Sequence, residues 1–552
     1  MHKTVSKPAF YCVVVRESNR MIQLMNPLKT TIFVAIAIAF LLPSVVPAND
    51  RSPNIVFFLV DDLGWRDLGC YGSNFYETPN IDRFAEQSVR FSQAYATCHV
   101  CSPTRASIMT GKYPARLHLT DWLSGRRDFP FQKLKNAEIH QHLPLEEITI
   151  AETLKKHGYR TAHIGKWHLG EDPFGPLQQG FDIQIPRWNK GWPKAGYHAP
   201  FKFDALDSQP GQYLTDRLTE EAVKFIEVSK DQPFFLYLSH FAVHDPIQGR
   251  ADLVAKYEEK QKNVPPPKGA AFVLEGNPDT TDPLSKKDLA ARMESPQWSG
   301  YQVLPDRTVK IKQHQDNVQF AAMVESVDES LGRVLAKLKA LDLDDNTIVI
   351  LFSDNGGMSG ANFGRPDRIV RGDQLDRAFS TSNLPLRGAK GWLYEGGVRE
   401  PLIIHWPGQG QQNKVCDVPV ISTDFYPTIL EMLGLPQQPE QHADGVSIVP
   451  LVKGAKKLGR EAIYWHFPHY SNHGMQSPGG AIRAGDYKLL EYFENGTVQL
   501  FNLRIDIGEQ NNLSKTEPEK AAELRSMLHT WRQDVSARMM KPNPDYVGSG
   551  KR

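Results

Sequence analysis

Five short runs of apolar, β-branched and aromatic residues, each ending in a polar cluster, constrain this chain more than any other feature. They are Ile55 to Val60 before Asp61 and Asp62, Tyr159 to Ile164 before Gly165 and Lys166, and Phe234 to Leu238 before Ser239 and His240. Thr347 to Phe352 before Ser353, Asp354 and Asn355, and Leu402 to His405 before Trp406 and Pro407, complete the set. Near-continuous hydrophobicity over so few residues reads as a strand buried on both faces. Helical patterns lie between the runs: Ile148 to His157, closed by Gly158, and Met323, Val327, Leu331, Val334, Leu335 and Leu338 at helical spacing. Alternation of this kind predicts an α/β fold, a large mixed but mostly parallel sheet sandwiched by helices. Such sheets bind ligands at the carboxyl ends of their strands. Here those ends would carry Asp61, Asp62, Lys166 with His168, His244, Asp354 and Asn355.

The texture changes along the chain. Residues from about 250 to 313 are rich in Pro, Lys and Asp and read as an insertion or lid over the catalytic face. A helix is expected from Asp424 to Leu433. Tyr487 to Phe493 and Thr497 to Phe501 then flank Glu494, Asn495 and Gly496 as a hairpin, a reading preferred to the glycosylation sequon at Asn495. Leu524, Leu528, Trp531 and Val535 mark a closing amphipathic helix. The expected division is an N-terminal extension with a leader over 1–48, a catalytic domain over 49–440, a small antiparallel-sheet plus helix domain over 441–540, and a tail over 541–552.

With 40% hydrophobic and 23% charged residues the 552-residue chain is of ordinary globular composition. A net charge of +1 gives no footprint for nucleic acid. Lys29, the apolar run Ile32 to Leu42, and Pro43 to Ala48 read as a secretory leader cleaved after Ala48, with Met21 or Met25 as alternative starts. The run is shorter than the ~20 residues that span a bilayer. Export to a periplasmic or extracellular space is therefore expected, with no stable membrane span. Five cysteines are too few for a disulfide scaffold, although Cys70 and Cys98 could pair.

Asp61, Asp62, Asp354 and Asn355 offer only oxygen ligands, which suit Ca²⁺, or less well Mg²⁺, rather than zinc or copper. Each alone also fits an N-cap or a turn. Arg105, Lys166 and Lys390 can supply cations for an anionic ester, His168 and His244 can move protons, and Cys101 would sit at a helix N-terminus.

Cys101, Pro103 and Arg105, with Thr110 and Gly111, resemble the maturation signal of the type I, formylglycine-dependent sulfatases, arylsulfatase-like members of the alkaline phosphatase superfamily. The likeness extends to Ile55 to Gly72, Gly165 to Gly170, Ser353 to Gly357, Leu386 to Arg399, and Leu500 to Leu513 with Asp506 and Glu509. It implies an alkaline phosphatase-like fold and sulfate ester hydrolysis. In that family the cysteine is oxidised to formylglycine by a separate maturation enzyme, and one hydroxyl of its hydrate attacks sulfur. By the same resemblance Asp61, Asp62, Asp354 and Asn355, with modified Cys101, would hold one Ca²⁺. Arg105 and Lys166 would orient the hydrate, and His168 would take a proton from its second hydroxyl. His244, the general acid, and Lys390 would grip sulfate and the leaving oxygen. Thr104 departs from the serine common in the family. A single-metal phosphodiesterase or phosphonate monoester hydrolase of the same superfamily is the alternative enzyme, and a non-catalytic binder of sulfated glycans the alternative outside enzymes. His466 and His469, with His473 and nearby aromatics, are expected at the rim of a sugar pocket, with Arg126 and Arg127 as further rim candidates. The favoured substrate is a sulfated carbohydrate of the galactose or galactosamine type, cut from a chain end.

Overall fold

The computed structural model describes residues 51–130, 132–276, 303–304, 308–360, 378–471 and 476–547. The leader read over 1–48, His473 and the last residues of the tail lie outside them. Ser52–Arg552 forms one compact unit.

The large sheet is built from β1 (Asn54–Val60), β2 (Val89–Tyr95), β3 (Arg160–Gly165), β4 (Ile183–Ile185), β5 (Phe234–Ser239), β6 (Thr347–Ser353), β7 (Arg399–His405) and β8 (Lys414–Cys416). They lie in the order β8-β2-β7-β6-β1-β5-β3-β4, and Val420–Ile421 adds a further short strand beside β2. Four of the five apolar runs form parallel neighbours β6, β1, β5 and β3. The fifth, β7, runs antiparallel to both β6 and β2, which makes the sheet mixed, as expected. Apolar content reports burial on two faces, not direction.

Helices cover both faces. On one, α1 (Pro79–Glu86), α4 (Leu214–Ser229), α5 (Ala251–Asn263) and α6 (Val318–Ala340) share a core with Val56, Phe58, Leu236 and Leu351. On the other, α2 (Cys101–Thr110), α3 (Ile150–Lys156) and α7 (Phe425–Met432) pack on Phe57, Phe235, Ile350 and Leu402. Local sequence sets the helix ends. Thr149 and Glu152 form a reciprocal capping box at the start of α3, and Asn317 accepts the Phe320 amide at the start of α6. Of the stretch from 250 to 313, residues 277–302 and 305–307 lie outside the described residues. It opens with α5, whose Leu253 and Tyr257 are buried in the core shared with α6. Strands over Phe272–Glu275 and Thr308–Lys312 then pair antiparallel.

Four antiparallel strands, β9 (Ala462–Phe467), β10 (Gly479–Ala484), β11 (Tyr487–Tyr492) and β12 (Val498–Asn502), make the small sheet, covered by α8 (Pro518–Asp534). The hairpin between β11 and β12 turns at Asn495, whose side chain accepts from the Thr497 amide and hydroxyl. Ile448, Val449, Leu451 and Val452 belong to the core of the large sheet. A buried ion cluster joins the two sheets: Lys488 Nζ lies 2.9 Å from Glu395 and 3.1 Å from Glu509. Cys70, Cys98, Cys101 and Cys416 are free thiols, so no Cys70–Cys98 bridge forms.

Candidate active site

The pairing register places four strand ends level. Val60 faces Ser353, Leu59 faces Ser239, and Gly165 faces Ser239 across the β1/β6, β1/β5 and β3/β5 ladders. The next residues on three of these strands are Asp61, Asp354 and Lys166, all fully buried. Gly165 permits this crowding: at φ +114° it lies so near the Ser239 carbonyl that a Cβ would come within 1.7 Å of its oxygen.

One guanidinium ties the ends together. Arg105, on buried α2, donates from Nε to Asp354 Oδ2 at 2.8 Å and from Nη1 to the Lys166 carbonyl at 2.9 Å and Ser239 Oγ at 2.6 Å. Its Nη2 stands 3.8 Å from Asp61 Oδ1. Burial would weaken this cation, but Asp354 and Asp61 outweigh it and raise its pKa further. The resemblance expects Arg105 to orient the hydrated nucleophile; its hydrogen bonds run to the strand ends, and Cys101 is among the groups that act on its charge.

Cys101 opens α2 after the extended Val100, with Pro103 in the first turn where a proline costs no helical hydrogen bond. Its Sγ lies 3.1 Å from His168 Nδ1. His168 Nε2 sits 2.8 Å from the Leu123 carbonyl, which can only accept, so the proton belongs on Nε2 and Nδ1 turns its lone pair to Cys101. Burial, then Lys166, push the His168 pKa well below its usual value and keep the ring neutral. Thr104 keeps the hydroxyl a serine would supply, donating to the Cys98 carbonyl and accepting the Cys98 amide.

The acidic residues are cross-linked by lysines. Lys166 Nζ is 2.6 Å from Asp61 Oδ2, and Lys390 Nζ is 2.7 Å from Asp62 Oδ1 and 2.8 Å from Oδ2. Asn355 Nδ2 donates to Asp62 Oδ1 at 2.7 Å, and the Asp62 amide to Asp354 Oδ1 at 3.2 Å. Burial and the nearby Asp354 push Asp61 up to about 8. For Asp62 burial is outweighed by Lys390 and His244, which hold it near about 2. Asp61 Oδ1 and Asn355 Oδ1 are buried with no hydrogen-bond partner. Orphaned buried oxygens beside crowded carboxylates are what a hard divalent cation would satisfy, so Asp61, Asp62, Asp354 and Asn355 fit an oxygen-liganded metal.

His244 stands beside them, its Nε2 3.8 Å from Asp62 Oδ2, and Asp61, Asp62 and His244 form a group able to hold a metal ion. Its Nδ1 is hydrogen-bonded to the Asp245 carbonyl at 2.7 Å and lies 2.9 Å from Asp245 Oδ1. Burial and Lys390 lower the His244 pKa, but Asp62, Asp245 and Asp61 prevail and raise it to about 9. A bound cation would weaken that hold.

Two expectations fail. His466 and His469 are 5% and 2% exposed and do not reach a rim. His466 sits in β9 with Nε2 on the Arg538 carbonyl, and His469 Nε2 bonds Thr120 Oγ1. Burial holds His466 near about 3 and His469 well below its usual value, so both are neutral core groups. Arg126 and Arg127 both stack on Phe129 in the loop that follows Leu123, and Arg126 Nη1 donates to the Ser471 carbonyl.

Sequence reasoning missed three supports. Besides Leu123 and Ser239, Asn383 Nδ2 donates to the carbonyls of Gly357, Gly388 and Gly396 and so knots the Lys390 loop to the end of β6. Backbone acceptors leave no residue signature, and an asparagine in a loop is too common to be one.

The Sulfatase family profile matches residues 53–435, and a profile described as N-sulphoglucosamine sulphohydrolase, C-terminal, matches residues 389–537. A protein named Sulfatase from Formosa agariphila is 29% identical, over 87% of this chain and 89% of its own. Human N-acetylgalactosamine-6-sulfatase is 28% identical, over 75% of this chain and 68% of its own. Among solved structures, Ps i-CgsB in complex with k-i-k-neocarrahexaose superposes with a TM-score of 0.65 at 27% identity, covering 88% of this chain and 94% of that one.

Proposed function

The chain belongs to the sulfatase family and is a sulfuric ester hydrolase, and from that premise we propose that it removes sulfate from a carbohydrate by means of formylglycine at position 101 and one Ca²⁺. The observation that carries the reading is His168 Nδ1 facing Cys101 Sγ at 3.1 Å while Leu123 holds the proton on Nε2. A base with a fixed tautomer, against the one side chain whose oxidation gives an aldehyde hydrate, fits this chemistry.

Formylglycine, once hydrated, supplies two hydroxyls on one carbon, so sulfate can leave where a serine ester would be stranded. Ca²⁺ held by Asp61, Asp62, Asp354, Asn355 and residue 101 would supply positive charge to the sulfate oxygens. The chain's own groups do the rest. His168 accepts a proton at Nδ1 from residue 101. His244 delivers one from Nε2 to the leaving oxygen, its other nitrogen held by Asp245. Lys390 and Lys166 offset the carboxylates and face the sulfate, and Arg105 braces the ligand-bearing strand ends.

A carbohydrate substrate is supported by relatives named for N-acetylgalactosamine 6-sulfate and by a 27% identical neighbour solved with a carrageenan oligosaccharide. Among the described residues no helix is long and apolar enough to cross a membrane. The leader over 1–48 assigns the enzyme to an exported compartment, and a formylglycine-generating enzyme is its required partner.

Mass spectrometry of the peptide containing Cys101, from protein co-expressed with a maturation enzyme, tests the proposal together with sulfate release. The expected result is the formylglycine mass and turnover that chelation abolishes and Ca²⁺ restores. Unmodified cysteine beside a matured control sulfatase, or turnover independent of divalent cations, would overturn it.

A further inference from the structure

Between the two histidines runs a segment that bond breaking does not use. Residues 187–197 follow β4. Near the start, the Asn189 carbonyl accepts from the His168 amide at 3.1 Å, and Gly191 lies so close to the imidazole that a Cβ would fall 2.3 Å from its Cε1. At the far end Tyr197 Oη donates to the carbonyls of Phe241 at 2.7 Å and His244 at 2.9 Å. The segment thus runs from base to acid along one side of the site, fastened at both.

Its side chains are not those of a plain strut. Trp188 packs at 6.0 Å from the Phe203 ring and donates from Nε1 to the Trp192 carbonyl at 2.6 Å. The ammoniums of Lys190 and Lys194 stand 5.9 and 5.3 Å from the Trp188 ring centre, and Lys190 is also 3.4 Å from Glu171. Trp192 is 44% exposed, and a 460 Å³ hollow lined by Glu171, Asp172, Gln184, Arg187, Trp188 and Lys190 opens beside Trp188. A large indole held in water by a tightly anchored backbone, with two ammoniums within four residues, offers a flat apolar face beside positive charge.

We propose that Trp192, Lys190 and Lys194 form a subsite for a second sugar unit of the substrate, one that itself carries an anionic group. The inference rests on the carbohydrate reading above. The indole would stack on a pyranose face, and the ammoniums would meet a sulfate or carboxylate on that ring. Specificity for a sulfated chain over an isolated sulfated sugar would then reside in this segment.

Binding can be read apart from turnover in the Cys101→Ala protein by calorimetry in Ca²⁺. The probes are a sulfated N-acetylgalactosamine and disaccharides ending in that unit whose second ring carries a sulfate, a carboxylate or no charge. The anionic disaccharides are expected to bind about tenfold tighter than the monosaccharide, the scale of one stacked ring plus exposed charge pairs. Trp192→Ala and the pair Lys190→Ala with Lys194→Ala should each bring that ratio towards one, and Trp192→Tyr should restore most of it. The preferred anion identifies the second ring's charge. Equal affinity for one and two rings, or a ratio untouched by these substitutions, overturns the subsite. Sulfate release by the matured wild-type enzyme is measured separately, so a failure of the hydrolytic reading is told apart from a failure of this one.

Discussion

The role of base proposed for His168 does not reside in the side chain alone. Its basicity towards position 101 depends on the Leu123 carbonyl, which fixes the proton on the far nitrogen. His168→Ala should lower kcat by about 10²- to 10⁴-fold, the usual range for a lost general base, with a smaller effect on KM; steady-state kinetics on an aryl sulfate checks this. His466 makes the opposite case. With its ring buried and bonded to Arg538, His466→Ala should cost about 1–3 kcal/mol of stability by leaving a cavity and an unpaired carbonyl, while KM stays as it was. Urea unfolding beside kinetics separates the two. At this scale the sequence was legible where chemistry demands a residue type: Asp61, Asp62, Asp354, Asn355, Lys166 and Lys390 converge as expected. It was illegible where position decides, since a histidine near aromatics reads alike at a rim and in a core.

At the scale of elements, two local features carry predictions of different size. The capping box at the start of α3 satisfies two amides, and Thr149→Ala should cost about 1 kcal/mol, read as faster amide exchange in α3. Gly165→Ala should do far more, because the new methyl has no space against Ser239 and the backbone there is left-handed. Poor soluble yield, or loss of Ca²⁺-dependent stabilisation in whatever folds, is the expected outcome, and a fully active Gly165→Ala enzyme would contradict the account of the level strand ends. The five apolar runs were enough to find β1, β3, β5, β6 and β7 and the mostly parallel sheet. The direction of β7 was not, because direction is set by the connection and not by the strand's own residues. Nor was β2: Arg90, Ser92 and Gln93 alternate with its buried residues and dilute the apolar signal.

The whole molecule is held across its two sheets by charge as well as by apolar packing. Lys488 from the small sheet meets Glu395, which follows the Lys390 loop, and Glu509, all fully buried. Lys488→Met strands two carboxylates and should destabilise the protein by about 3–5 kcal/mol, measurable as a lower urea midpoint. Acidity adds a second global term. Burial raises Asp67 to about 7 in the folded chain, against about 4 when unfolded. Between those values the folded state keeps a proton that the unfolded state has lost, so this group makes stability fall as pH rises from about 4 to about 7. Asp67→Asn should flatten that part of a melting-temperature profile.

Burial of α2 has a consequence in time. Every residue of that helix is buried, and Cys101 itself is 3% exposed. A second enzyme cannot close around a side chain sealed between a sheet and its covering helices. On the proposed chemistry, installation of the aldehyde at position 101 would be a race against folding, run on the unfolded or nascent chain, with a window that shuts when α2 docks. Molecules that fold first would stay native in shape and without a nucleophile, and the active fraction of a preparation would record two competing rates.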